Sequence, residues 1–147
     1  MERDSDANPA RASTTVNAPA ADVWHALVDP KAIKEYMFGA NVTSEWTPGS
    51  SIVWEGEMDG KAFRDHGTIL RVDSEHVLQY SHFSPLSGMP DAPENYHTVT
   101  ISLEPAGDGT LVSLSQDNVG SDEERTQSEG TWMAMLTGLK TYVEAAS

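Results

Sequence analysis

Four side chains in this sequence, His66, Tyr80, His82 and His97, are well suited to holding or moving a proton, and each sits in a stretch that alternates like a β-strand. In HVLQYSHF, Leu78, Tyr80 and His82 share one face while Val77, Gln79 and Ser81 share the other. The same parity groups His97, Val99, Ile101 and Leu103 on the following strand, and Val112, Leu114 and Gln116 on the last. Ile52 and Trp54 share a face on an earlier one. Trp54, His66, Leu78, Tyr80, His82, His97, Val99 and Gln116 are therefore candidates for a mostly apolar wall with a few polar groups set in it. A small-molecule pocket has that composition. So does an ordinary core whose polar groups are internally hydrogen-bonded.

Several chemistries lack their parts. His82 and His97 fall on neighbouring strands, but spacing supplies no third ligand, and a catalytic zinc normally takes three; neither a metal nor a cofactor is expected. The chain has no cysteine, hence no thiol nucleophile and no disulfide framework. Ser81, Ser84, Ser113 and Ser115 lie outside any nucleophile elbow, and neither GxxxxGK[ST] nor GxGxxG occurs. Acid–base chemistry by His82, Tyr80 or Asp65 needs only a positioned titrating group in a closed pocket, so a small-molecule cyclase or hydratase stays among the alternatives.

Such residues must be held by elements that the pattern also supplies. ARASTTVNAP is β-rich and runs into APAADVWHALVDPKAIKEYM, where Val23, Trp24, Leu27 and Val28 form a helical stripe. Asp29-Pro30 stops it, and Ile33, Tyr36 and Met37 begin a second, giving two short helices. Extended stretches separated by Pro48-Gly49, Asp59-Gly60, Asp73-Ser74 and Gly107-Asp108-Gly109 follow, about seven strands in all. SPLSGMPDAPEN is long for a connection within a sheet, and predicts either a lid over a cavity mouth or an ordered surface loop. Ser121 with Glu124 opens a long terminal helix on which Trp132, Met135, Leu136, Leu139 and Val143 make one apolar stripe, with Thr137, Lys140, Thr141 and Glu144 off it.

At 147 residues the chain predicts one domain, over residues 11–147, after a polar disordered tail over 1–10. Lys and Arg number 9 against 23 Asp and Glu, a net charge of -14, so a nucleic-acid or anionic membrane partner is not expected. With no apolar leader, no spanning run and no cysteine, a cytoplasmic location is expected.

The order of elements resembles the helix-grip fold of the START-like (SRPBCC) superfamily. APAADVWHALVDPKAIKEYM, GTILRVDSEHVLQYSH and WMAMLTGLKTYVE resemble the opening, central hairpin and closing helix of the branch named after the heat-shock protein 90 ATPase activator, although Tyr36 stands where that branch often has Trp. The resemblance implies an α+β fold: a curved antiparallel sheet of about six to seven strands wrapped around a long C-terminal helix, with two short helices after the first strand. It also implies that the Leu78, Tyr80 and His82 set faces inward, with Trp132, Met135, Leu136 and Leu139 of the helix lining the other wall of a cavity. The implied function is non-enzymatic binding of a small hydrophobic or amphipathic molecule. The alternative it carries is a co-chaperone-like module whose partner is a chaperone protein.

Overall fold

Aspartate and proline decide the first turn of the architecture. A computed structural model describes residues 9–58, 60–85 and 88–146; most of the expected polar tail, residues 1–8, lies outside these. Strand β1 (Ala10–Val16) leads to helix α1 (Ala20–Val28), which Asp29-Pro30 separates from α2 (Pro30–Tyr36). Asp29 is extended and its carboxylate accepts a hydrogen bond from the Lys31 N–H at 3.1 Å, while Pro30 takes the first helical position, where its missing donor costs nothing. The chain thus turns a corner, and Val23, Ala26 and Leu27 of α1 and Ala32, Ile33 and Tyr36 of α2 are buried. Buried Tyr36 donates its hydroxyl to the Ala26 carbonyl at 2.9 Å, tying the two helices. Burial pushes its pKa well above the ordinary tyrosine value.

Six strands then run as an antiparallel meander: β2 (Asn41–Ser44), β3 (Ser51–Met58), β4 (Lys61–Asp73), β5 (Val77–His82), β6 (His97–Ala106) and β7 (Gly109–Gln116). Strand β1 closes the sheet on β7, giving the order β1-β7-β6-β5-β4-β3-β2. The registers Trp54↔Asp65, Ile69↔Tyr80, Tyr80↔Val99 and His82↔His97 set one inward face, on which Ile52, Trp54, Ile69, Leu78, Tyr80, Val99, Leu114 and Gln116 are buried. A bulge between Ile69 and Arg71 turns Leu70 out to solvent, so residue parity changes along β4.

Helix α3 (Asp122–Ala146) crosses the concave side of the curved sheet. The Ser121 hydroxyl accepts the Glu124 N–H at 3.1 Å, and three acidic residues occupy the first turn, complementing the positive helix end. Met135, Leu136, Leu139 and Val143 bury the expected stripe. Residues off that stripe also have work: Lys140 donates to the Thr15 carbonyl at 2.7 Å, and Glu144 accepts the Asn17 N–H at 2.8 Å. Glu129 accepts the Arg11 N–H at 3.0 Å, so helix side chains occupy backbone groups along the outer edge of β1. Hydrogen bonds from Lys140, then from the Asn17 N–H, hold Glu144 below the usual carboxylate range.

Candidate functional site

Between the first half of α3 and the inner face of β3–β7 the sheet and helix stand apart, leaving a cavity of about 400 Å³. Its sheet wall is Trp54, Phe63, Asp65, Tyr80, His82, His97 and Gln116. The helix wall is Glu124, Gln127, Ser128, Thr131, Trp132 and Met135, which recur at three and four along α3 and so share one face. Met37, Phe38 and Ala40, from the turn after α2, complete the lining.

On the sheet wall the polar groups are held by one another. His82 Nε2 lies 2.9 Å from Asp65 Oδ2, with side chains 24% and 18% exposed. An ionised carboxylate only accepts, so His82 donates from Nε2, which leaves Nδ1 of the neutral ring as an acceptor. The other Asp65 oxygen, Oδ1, is buried without a hydrogen-bond partner. The two elements meet closely because Gly67 lies between them; a Cβ there would overlap the Ser81 carbonyl oxygen. The His97 ring lies at 26° to His82 with 6.3 Å between centroids, and Trp54 packs edge-on to His82 at 5.1 Å and tilted against Tyr80 at 5.2 Å.

A second chain of bonds crosses from sheet to helix. Indole N–H groups only donate, so Trp132 fixes the Gln116 amide with Oε1 toward the helix, at 2.5 Å. The Gln116 Nε2 then faces His97 Nδ1 at 3.1 Å, while the Asp117 carbonyl lies 3.0 Å from that same nitrogen. These two neighbours ask opposite things of Nδ1: it accepts from the amide when bare and donates to the carbonyl when protonated. Tyr80 lines the same wall, and burial raises its pKa far above the ordinary value, keeping the phenol protonated.

Seven of the residues singled out from sequence meet here: Trp54, Tyr80, His82, His97, Gln116, Trp132 and Met135. Leu78 lines a void of about 20 Å³ deeper inside, shared with Tyr80 and Met135. Val99, Leu136 and Leu139 are fully enclosed in the core rather than on the cavity surface. His66 differs more. It pairs with Val53 and Phe83 on the outer face, where it lies 3.2 Å from Asp91 and packs against Phe83 and Tyr96. Asp91 also accepts the Tyr96 hydroxyl at 2.6 Å, which pushes that phenol up to about 12. Asp91 and Tyr96 anchor the long loop after β5. None of its described residues lines the cavity; residues 86 and 87 lie outside the described part.

Sequence reasoning missed the mouth: Met37, Phe38 and Phe63, and the Glu124, Gln127, Ser128 and Thr131 stripe. The stripe had a signal, since short or polar side chains occupy the very helical positions that continue the apolar stripe of Trp132 and Met135 backwards. Among the described residues no group of three or more His, Asp or Glu side chains is placed to hold a metal ion, and no helix is long and apolar enough to cross a membrane.

Residues 17–144 match the family model described as Activator of Hsp90 ATPase homolog 1-like protein. No curated protein matches the chain in sequence. Among solved structures, the solution structure of ChR145 from Cytophaga hutchinsonii is 51% identical, with 99% of this chain and 98% of that one covered and a TM-score of 0.84. CalU16 from Micromonospora echinospora is 22% identical over 90% of this chain and 74% of its own, with a TM-score of 0.71. DynU16, a protein of the dynemicin biosynthetic locus, is 18% identical over 95% of this chain and 48% of its own, with a TM-score of 0.78. The last two likenesses concern the fold alone. With its two short helices, seven-stranded antiparallel sheet and long closing helix, this chain belongs to the Activator of Hsp90 ATPase homolog 1-like family, within the START-like superfamily.

Proposed function

We propose that this chain encloses a small, largely apolar molecule between its sheet and the first half of α3, and holds the molecule's polar end at His82, His97 and Gln116. The observation behind this reading is the cavity itself: about 400 Å³, walled in large part by aromatic and methionine side chains, with His82, His97 and Gln116 grouped on its sheet wall. A volume of that size suits a ligand of two or three fused or linked rings. Native mass spectrometry of freshly purified protein tests the reading, with a retained molecule as the expected result. The companion variant is His82→Leu. It removes an acceptor from the cavity and should weaken binding of an apolar fluorophore or of the retained molecule by about 1–3 kcal/mol, the usual cost of leaving a polar partner unmatched. It also strands Asp65, so stability falls as well, and binding must be measured where the variant is folded. Unchanged affinity would remove His82 from the site.

A second reading has one observation in its favour. Asp65 and His82 form a carboxylate–imidazole pair that opens into the cavity, the arrangement by which a carboxylate fixes a histidine as a general base. Nε2 is committed to Asp65, so Nδ1 would take the proton. Product formation from the retained molecule, lost in His82→Gln with binding preserved, would establish acid–base turnover over simple carriage.

A further inference from the structure

Phe38 departs from two local rules at once. It follows α2 with φ 58°, in the left-handed region, and the next residue, Gly39, donates its N–H to the Lys34 carbonyl at 3.1 Å. That bond is the six-to-one link of a Schellman close, and the position Phe38 occupies in it normally falls to glycine, because a side chain there costs roughly 1 kcal/mol. The ring is also 54% exposed, more than any other large hydrophobic side chain among the described residues. In the free protein a phenylalanine there strains the backbone and leaves more than half of the residue in water. What the ring does adjoin is the cavity, which it lines together with Met37 and Ala40.

The interior beyond it is aromatic on several sides, through Trp54, Phe63, Tyr80 and Trp132. Its charge is one-sided. Asp65 and Glu124 line the cavity, and no lysine or arginine does so among the described residues; His82 is already committed to Asp65. An anionic ligand would face two carboxylates with no lysine or arginine to pair with. We infer that Phe38 is a ligand-contacting residue that closes the cavity over a flat, uncharged aromatic molecule, stacking on its outer ring. The inference rests on the ligand-binding reading above and adds to it the class of ligand and the residue that covers it.

The test uses the full chain and two fluorophores with one aromatic frame, neutral N-phenyl-naphthylamine and its anionic relative anilinonaphthalene sulfonate. The neutral probe should bind the wild-type chain at least about tenfold more tightly, from the Coulomb cost of an unpaired anion near carboxylates. In Phe38→Gly the neutral probe should bind about three- to tenfold more weakly, as expected for one lost aromatic pair. Its melting temperature should stay level or rise by up to about 4 °C, since relief of the left-handed strain is partly offset by the freedom glycine adds to the unfolded chain. Phe38→Leu, apolar but without a ring, should fall between. Equal affinity of Phe38→Gly and wild type, or a lower melting temperature in that variant, overturns the role given to Phe38. Equal or tighter binding of the sulfonate overturns the uncharged class. A wild-type chain that binds neither probe overturns the ligand-cavity reading and this inference with it.

Discussion

The two halves of α3 face the same sheet and do opposite things. Toward its C-terminus, Leu136, Leu139 and Val143 fill the space above the sheet, with Tyr36 of α2 packed so closely on the helix that a Cβ at Gly138 would lie 3.1 Å from Tyr36 Cβ. Toward its N-terminus the corresponding face carries Glu124, Gln127, Ser128 and Thr131, and the cavity opens. The helix face changes from leucine and valine to short or polar side chains, and the paired short helices plug one end only. A cavity here is apolar volume left out of one helical stripe. The solid half supplies the stability that lets the other half stay open.

That division can be broken from either side. The largest effect should come from Leu139→Ala, which cuts a hole in the solid half and should cost about 2–5 kcal/mol in urea unfolding. A loss below about 1 kcal/mol would mean the two halves are packed alike. Ser128→Leu works in the other direction, adding apolar volume to the open half. It should leave the unfolding midpoint level or higher while cutting binding of the neutral fluorophore at least about tenfold, and a marked loss of stability would show that this face was already full. The smallest effect sharpens how the helix is docked. Glu144 is held below its ordinary pKa by Lys140 and the Asn17 N–H, so its contribution is present above the unfolded carboxylate value and is lost as pH falls through the lower folded one. The stability difference between wild type and Glu144→Gln should therefore shrink on acidification below about pH 4.3, the ordinary glutamate value. A difference independent of pH would assign the effect to packing of the side chain.

Where a local rule governed the structure, the sequence was enough. Asp29-Pro30 splits the helix because an aspartate cap and a proline at the first position leave few options, and parity in HVLQYSHF put Leu78, Tyr80 and His82 on one face. His66 escaped the same logic. The bulge at Leu70 changes parity within β4, so residues before and after it cannot be phased together, and the inward partner of His82 is Asp65. Val99, Leu136 and Leu139 show another limit, because alternation gives the face of a residue but not whether the space above it is filled. Phe38 lay at a helix end, where its backbone follows from how the chain leaves α2 and not from any period in the sequence.

The join between β1 and β7 has a consequence in time. Every other strand pairs with a neighbour in the meander, whereas β1 meets β7 across about 100 residues, and its outer edge is completed by side chains of α3 later still. At roughly 5–20 residues per second on a ribosome, the first strand waits roughly 5–20 s for its partner to be made. A strand that must wait unpaired is a sticking hazard unless it is poor in apolar surface. Its core sequence, Arg11-Ala12-Ser13-Thr14-Thr15, is polar enough to wait in water, and Ala10 and Val16 at its two ends become fully buried only when the last part of the chain arrives.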